Sequence, residues 1–348
     1  MQLVLSMLPL QMVFLSMPLA LAQRLPHQRL PHQQRALAHD PLEAVFGPWQ
    51  PPNRRMPMFR TMPFDEAGLR HLRDFQPRPS DTYILTAPRT GTTFLQMLLH
   101  ALRTGGTHTA FDDVYQIVPW DKLAWDIGQR LDAEQVAFPR LFKSHSRLGV
   151  VNRGARYVTL VRDVEATASS VFNFFRAKGA NSELIGEHTT ASEWVVASRW
   201  SNWADFYADV ARGCALPNVL ALCYEDVAAD PGHFLDLLAD FISVPRPVDA
   251  ARKRILRLSS RGWMKAHGSR FDESFWSADL VGPPASRVNR KGLHGELDAA
   301  AKRTLKELWS AEVATKTGLS DYGALRQLVR AELDKKEKAA APAMPFDI

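Results

Sequence analysis

The chain of 348 residues is 46% hydrophobic, enough to bury a sizeable core as one large α/β domain with appendages or as two smaller domains. Two cysteines, Cys214 and Cys223, exclude a disulfide framework and fit a reduced compartment, with Cys223 in an apolar, strand-like run where it reads as a small core residue. The net charge of +6 is spread out, with no basic run beyond a few residues, and fits a polyanionic small molecule as well as it fits nucleic acid.

The first 23 residues carry no charged side chain and contain an apolar series from Leu3 to Ala22. Ala20-Leu21-Ala22 resembles a small-residue cleavage site, but the basic region of a secretory signal is missing. As a membrane span the segment is interrupted by Gln2, Pro9, Gln11 and Pro18, and Arg24, Arg29 and Arg35 would hold the following side in the cytoplasm. The localisation expected is cytoplasmic, with a secretory or membrane-anchored placement through residues 1–23 as the alternative. Arg-Leu-Pro-His-Gln at 24–28 recurs at 29–33, a biased segment that reads as linker, and the Pro-, Met- and Arg-rich stretch from Phe46 to Pro63 reads as an extended arm. Residues 1–78 thus precede a compact domain expected over 79–333. Residues 334–348, with Lys335, Lys336, Lys338 and an Ala-Pro stretch, are expected to form a disordered tail.

Within the compact domain, Tyr83, Ile84 and Leu85 form a short apolar run of the kind buried in parallel sheets, and Pro88 to Gly91 is turn chemistry. A helix starts near Thr92, its apolar stripe recurring at Phe94, Leu95, Leu98, Leu99 and Leu102. A helix N-terminus carries unpaired N–H groups and about half a positive charge, which favours a docked phosphate or sulfate. Gly91 lets backbone come close, Arg89 adds fixed charge, and Thr92 and Thr93 add hydroxyls. The nucleotide-triphosphate motif G-x-x-x-x-G-K-[ST] is absent, because there is one Gly and the cation stands two residues before it. Alone, the segment reads equally as an ordinary capped turn.

Further strands are expected at 139–144, 156–162 and 218–224, with helices at 164–177, 192–212, 231–242, 248–266 and 298–316. This alternation predicts a mostly parallel sheet with helices on its faces. In Pro139 to Leu148, strand alternation puts Lys143 and His145 on one face and Ser144 on the other, so that a cation and a titratable imidazole share one side of a strand end. Arg162 closes an apolar strand where ligands bind in open α/β sheets, Asp163 can cap the next helix, and Ser170 lies two turns further along it. Arg290 and Lys291, beside Gly292 and Gly295, form a basic loop suited to closing over a phosphate. Each segment has a bland reading: a structural histidine, a surface Arg–Asp pair, a solvated loop.

Together and in this order, the segments resemble the cytosolic-type sulfotransferases, which use 3′-phosphoadenosine 5′-phosphosulfate (PAPS); the likeness runs from about Thr82 to Trp309. Ala87-Pro88-Arg89-Thr90-Gly91-Thr92-Thr93-Phe94 is similar to the family's 5′-phosphosulfate loop, Pro-Lys-Ser-Gly-Thr-Thr-Trp. Arg162 and Ser170 match the family's 3′-phosphate pair, and Arg290-Lys291-Gly292 its Arg-Lys-Gly loop on the same phosphate. Lys143-Ser144-His145 resembles the Lys-Thr-His element that carries the catalytic base. Tyr224-Glu225-Asp226 matches the Tyr-Glu-Asp whose tyrosine lies by the adenine, and Ser259 with Trp263-Met264-Lys265 falls more weakly in a further adenine-side region. Arg89 departs from the usual loop lysine, a change from a flexible point charge to a rigid fork that puts the family's lysine gating in question. Phe94 replaces a stacking Trp, and Leu297 another Trp.

The resemblance implies a three-layer α/β fold of the P-loop NTPase-like kind and a sulfuryl transfer with PAPS as co-substrate and no metal. His145 would deprotonate an acceptor hydroxyl that attacks sulfur in line, with Lys143 and Arg89 stabilising the developing charge. The partner expected is a small hydroxylated acceptor and no nucleic acid; Phe59, Phe64, Phe111, Trp120, Trp125, Phe142, Phe172 and Phe175 are candidates for an apolar acceptor pocket. The sequence leaves membrane association and oligomeric state open. The rival readings are a membrane-anchored carbohydrate-type sulfotransferase, a small-molecule kinase and a non-catalytic nucleotide-binding protein on the same fold.

Overall fold

The computed structural model describes residues 40–49, 65–178, 185–276, 287 and 296–340. The apolar N-terminal segment, the linker repeat, most of the expected arm and the basic loop at Arg290, Lys291 and Gly292 lie outside the described residues. Four short strands form one sheet, all its pairings parallel: β1 (Thr82–Thr86), β2 (Leu141–Ser144), β3 (Arg156–Val161) and β4 (Val219–Cys223), in the order β2-β1-β3-β4. Every residue of β1, β2 and β4 is buried, which is why the centre of β1 and the whole of β4 read as apolar runs, while β2 ends in the buried polar pair Lys143 and Ser144. Register places Tyr83 opposite both Phe142 and Tyr157, and their rings meet at 5.4 and 6.1 Å across the sheet.

The chain leaves β1 for β2 on one side and reaches β3 on the other, so the strand order reverses at β1. In open parallel sheets that reversal opens a crevice beyond the carboxyl ends of the strands, here the ends of β1 and β3. At the opposite end, Arg140 and Asp81, which precede β2 and β1, form a buried two-pronged ion pair at 2.6 and 2.9 Å.

Helices flank the sheet: α1 (Pro41–Phe46), α2 (Glu66–Asp74), α3 (Thr92–Arg103), α4 (Val114–Ile117), α5 (Val164–Lys178), α6 (Ala191–Ser198), α7 (Ala204–Gly213), α8 (Tyr224–Ala229), α9 (Leu235–Ile242), α10 (Asp249–Ser259), α11 (Arg261–Ala266), α12 (Ala299–Leu308) and α13 (Tyr322–Ala340). Beyond Leu308, α12 loosens into a π-helical stretch over Trp309–Ala314. No helix among the described residues is long and apolar enough to cross a membrane.

Several helix expectations are corrected. The single helix expected over 192–212 is two, because Arg199 takes a left-handed conformation (φ 46°) that caps α6; no Gly or Pro marks the break. The helix expected over 248–266 breaks at Ser260, whose extended backbone ends α10 and whose Oγ accepts from Trp263 N to cap α11. The frayed tail expected from Asp334 is helical through Ala340, the closing part of α13, which buries Leu325, Val329 and Leu333 at four-residue spacing. The packed body also reaches N-terminal of the expected start at Pro79, since Leu42 of α1, Leu72 of α2 and Phe75 join the core.

Candidate active site

The loop after β1 is built by two backbone positions with positive φ, Arg89 (68°) and Gly91 (110°). A Cβ at Gly91 would lie 2.7 Å from the Tyr224 ring and 2.9 Å from Leu160, so only glycine lets loop, β3 and α8 approach this closely. Gly91 also caps α3 without a side chain, and Thr92 and Thr93 open the helix along the wall of a cavity. Thr86 at the end of β1 and Thr92 share a hydroxyl contact of 2.6 Å that fixes the bend.

That cavity, of about 560 Å³, lies at the crevice expected from the strand order. Arg89, Gly91, Thr92, Thr93 and Phe94 line it from the loop and α3, Arg162 and Ser170 from β3 and α5, Tyr224 from α8, and Ser259 and Met264 from α10 and α11. Thr90 is the exception among the loop residues: its hydroxyl and N–H both turn to the carbonyl of Ala87, at 2.7 and 3.3 Å. Asp163 caps α5 as its position suggests, Oδ1 accepting from Ala166 N at 2.8 Å.

Cations dominate the wall. Arg89 donates from Nε to Ser170 Oγ (3.3 Å) and lies 4.4 Å over the Phe174 ring; Arg162 donates from Nη1 to the Arg89 carbonyl (3.0 Å) and lies 4.7 Å over Tyr224. Phe94 meets Tyr224 edge-on at 6.5 Å, leaving an aromatic corner beside the guanidiniums. Burial, then the charges of Arg162 and Arg287, pull the Arg89 pKa down to about 10.

His145 and Lys143 stand beside this cavity and not among its lining residues. His145 is buried just past β2, its Nδ1 2.8 Å from the Thr86 carbonyl, which can only accept; the ring proton therefore sits on Nδ1 and the lone pair on Nε2. Burial, then Lys143, pushes its pKa well below the usual 6.5, so the ring is neutral at physiological pH. Trp120 touches both, its ring 5.3 Å from His145 and 3.8 Å from Lys143 Nζ. Lys143 Nζ donates to Tyr115 Oη at 2.8 Å, and burial, then Arg287, lowers its pKa well below the ordinary lysine value. Of the candidate acceptor aromatics, Phe142 and Phe172 are core residues, Trp120 alone touches both His145 and Lys143, and Phe59 and Phe64 lie outside the described residues.

Sequence reasoning missed a buried polar network behind the site. Tyr115 Oη donates to Glu273 Oε1 (3.2 Å), Lys178 to Glu273 Oε2 (2.6 Å), and Arg287 to Asp113 Oδ2 (3.1 Å) while lining the cavity. These residues are scattered over four segments, and no spacing links them. Also missed was the bracing of α8, where Glu225 accepts from Asp163 N (2.9 Å) and Tyr322 Oη (2.5 Å), and Asp226 from Arg326 and Arg330 of α13. Only the two acids of Tyr224-Glu225-Asp226 hinted at it.

Comparison with known proteins places this geometry. Residues 79–303 match the family model of the sulfotransferase domain. Among curated proteins, the chain is similar to cytosolic sulfotransferase 1 of Danio rerio (25% identity, covering 52% of this chain and 65% of that protein) and sulfotransferase 2A1 of Homo sapiens (27%, covering 68% and 85%). Its fold is similar to the crystal structure of mouse sulfotransferase SULT7A1 complexed with PAP, at a TM-score of 0.54 and 19% identity over 76% of this chain and 95% of that one. The chain belongs to the sulfotransferase family.

Proposed function

We propose that this sulfotransferase moves the sulfuryl group of PAPS to a hydroxyl of a small acceptor, with the cavity holding the donor and His145 acting as general base. The carrying observation is the convergence of Arg89, Arg162 and Ser170 on a glycine-built loop at a helix N-terminus, with a neutral histidine lone pair at the neighbouring strand end. PAPS is a co-substrate that supplies the sulfuryl group. The α3 N-terminus with Thr92 and Thr93 would hold its 5′-phosphosulfate, Arg162 and Ser170 its 3′-phosphate together with Arg290, Lys291 and Gly292, and Tyr224, Phe94 and Ser259 its adenine. His145 Nε2 takes the acceptor proton as oxygen attacks sulfur in line; Lys143 stands beside it as the cation for developing charge.

The family assignment favours this reading over a kinase or a non-catalytic binding protein. The cytosolic relative supports a cytoplasmic placement. Incubating purified protein with ³⁵S-labelled PAPS and a panel of hydroxylated acceptors tests the activity. Label on an acceptor supports it, whereas ATP-dependent phosphorylation of the same panel without sulfuryl transfer refutes it.

A further inference from the structure

We propose that Arg287 is a donor-binding residue that serves the 5′-phosphosulfate end of the cavity, the role that Arg89, turned to Ser170, fills poorly. The proposal rests on the donor-site reading above. Arg287 lines the same cavity as Arg89 and Arg162, yet its side chain is only 6% exposed. Its Nη2 is held by Asp113 at 3.1 Å, its Nε lies 3.4 Å from Glu273, and its plane covers the Tyr115 ring at 4.2 Å. Nη1 is buried with no hydrogen-bond partner among the described residues. A buried guanidinium N–H left without an acceptor is costly, and a ligand oxygen in the adjoining cavity would satisfy it.

Position decides which end it serves. Tyr115, beneath Arg287, is the residue to which Lys143 donates, so Arg287 sits on the Lys143 side of the cavity. Arg89, the loop cation, instead reaches Ser170 on α5, toward the group assigned to the 3′-phosphate. A third guanidinium on the Lys143 side adds positive charge where the sulfuryl oxygens and the leaving 5′-phosphate would lie. Asp113 and Glu273 hold Arg287 in place and are positioning residues.

The test compares adenosine 3′,5′-bisphosphate with adenosine 3′-monophosphate, which lacks the 5′-phosphate, by calorimetry on wild-type and Arg287→Met proteins. Bisphosphate affinity is expected to fall about tenfold to a hundredfold in the variant, and 3′-monophosphate affinity to stay within about twofold. An equal loss for both ligands would show an effect on the 3′ end, and no loss would show no donor contact; either overturns the assignment. Asp113 still caps α4 and Glu273 still binds Lys178 in the variant, which favours folding. Should it not fold, Arg287→Lys, which keeps charge and loses the fork, is put through the same comparison, and the same two results overturn the assignment. Wild-type protein that binds neither ligand would refute the donor-site reading itself, an outcome separate from any behaviour of the variants.

Discussion

Arg89 donates from Nε to Ser170 Oγ at 3.3 Å, linking the loop after β1 to helix α5 across the anion cavity. Arg162 completes the link by donating to the Arg89 carbonyl at 3.0 Å, which helps hold Arg89 at its positive φ. The two contacts are unequal. Arg162→Ala removes a charged ligand and a loop brace together, whereas Ser170→Ala removes one hydroxyl. Calorimetry with adenosine 3′,5′-bisphosphate is expected to show a loss of about 10–100-fold for Arg162→Ala and under about tenfold for Ser170→Ala. The reverse order would place the 3′-phosphate elsewhere.

Gly91→Ala is expected to lose both stability and donor binding, because the new Cβ would meet Tyr224 at 2.7 Å in a backbone conformation of φ 110°. Gly105, at φ 60° with nothing within 4 Å of the place a Cβ would take, is the control for backbone strain alone, about 1–3 kcal/mol. Thermal denaturation should show a larger drop in Tm for Gly91→Ala, and only that variant should lose bisphosphate affinity. Equal behaviour would mean that the close approach to α8 is not what requires glycine.

His145 and His100 are both held neutral by burial, His145 well below 6.5 and His100 down to about 3. Such groups bind protons more readily in the unfolded chain. Their contribution to stability is therefore complete above about pH 6.5 and is lost as pH falls toward the folded values. Each histidine costs at most about 1.4 kcal/mol per pH unit in that window. His100→Gln should flatten the fall of Tm between pH 6.5 and 4; an unchanged slope would contradict the assignment to His100. In kinetics, the acid limb of kcat/KM that belongs to His145 should lie below pH 6.5.

Asp226 ties α8, which carries Tyr224, to the C-terminal helix by accepting from Arg326 and Arg330. Burial raises its pKa, but hydrogen bonds from Arg330 and Arg326 outweigh this and bring it to about 2. The stability it gives is present above its unfolded value near 3.8 and fades as pH falls toward 2. Asp226→Asn is expected to cost about 1–3 kcal/mol in urea unfolding and to weaken bisphosphate binding through Tyr224. Loss of stability with binding unchanged would show that α13 supports the fold without positioning the site.

The cavity wall proposed to hold the donor was legible because its residues are local in sequence. A strand, a loop with one glycine and a helix start lie within Thr82–Leu99, and Arg162 follows its strand directly. Parallel strands buried on both faces announce themselves as apolar runs. The network of Tyr115, Glu273, Arg287 and Lys178 was not legible, since its members come together only through packing of segments far apart in the chain. Arg199 and Ser260 broke predicted helices without Gly or Pro, through a left-handed cap and an extended serine that periodicity alone does not show.

The proposed donor site requires that the cavity recognise a nucleotide carrying phosphate at both ends of its ribose. Calorimetric titration of the purified protein with adenosine 3′,5′-bisphosphate and with adenosine 5′-monophosphate tests it most directly. The 3′-phosphate, for which Arg162 and Ser170 are the proposed partners, is predicted to tighten binding by about a hundredfold. Equal affinity for the two nucleotides, or no heat with the bisphosphate, would contradict it.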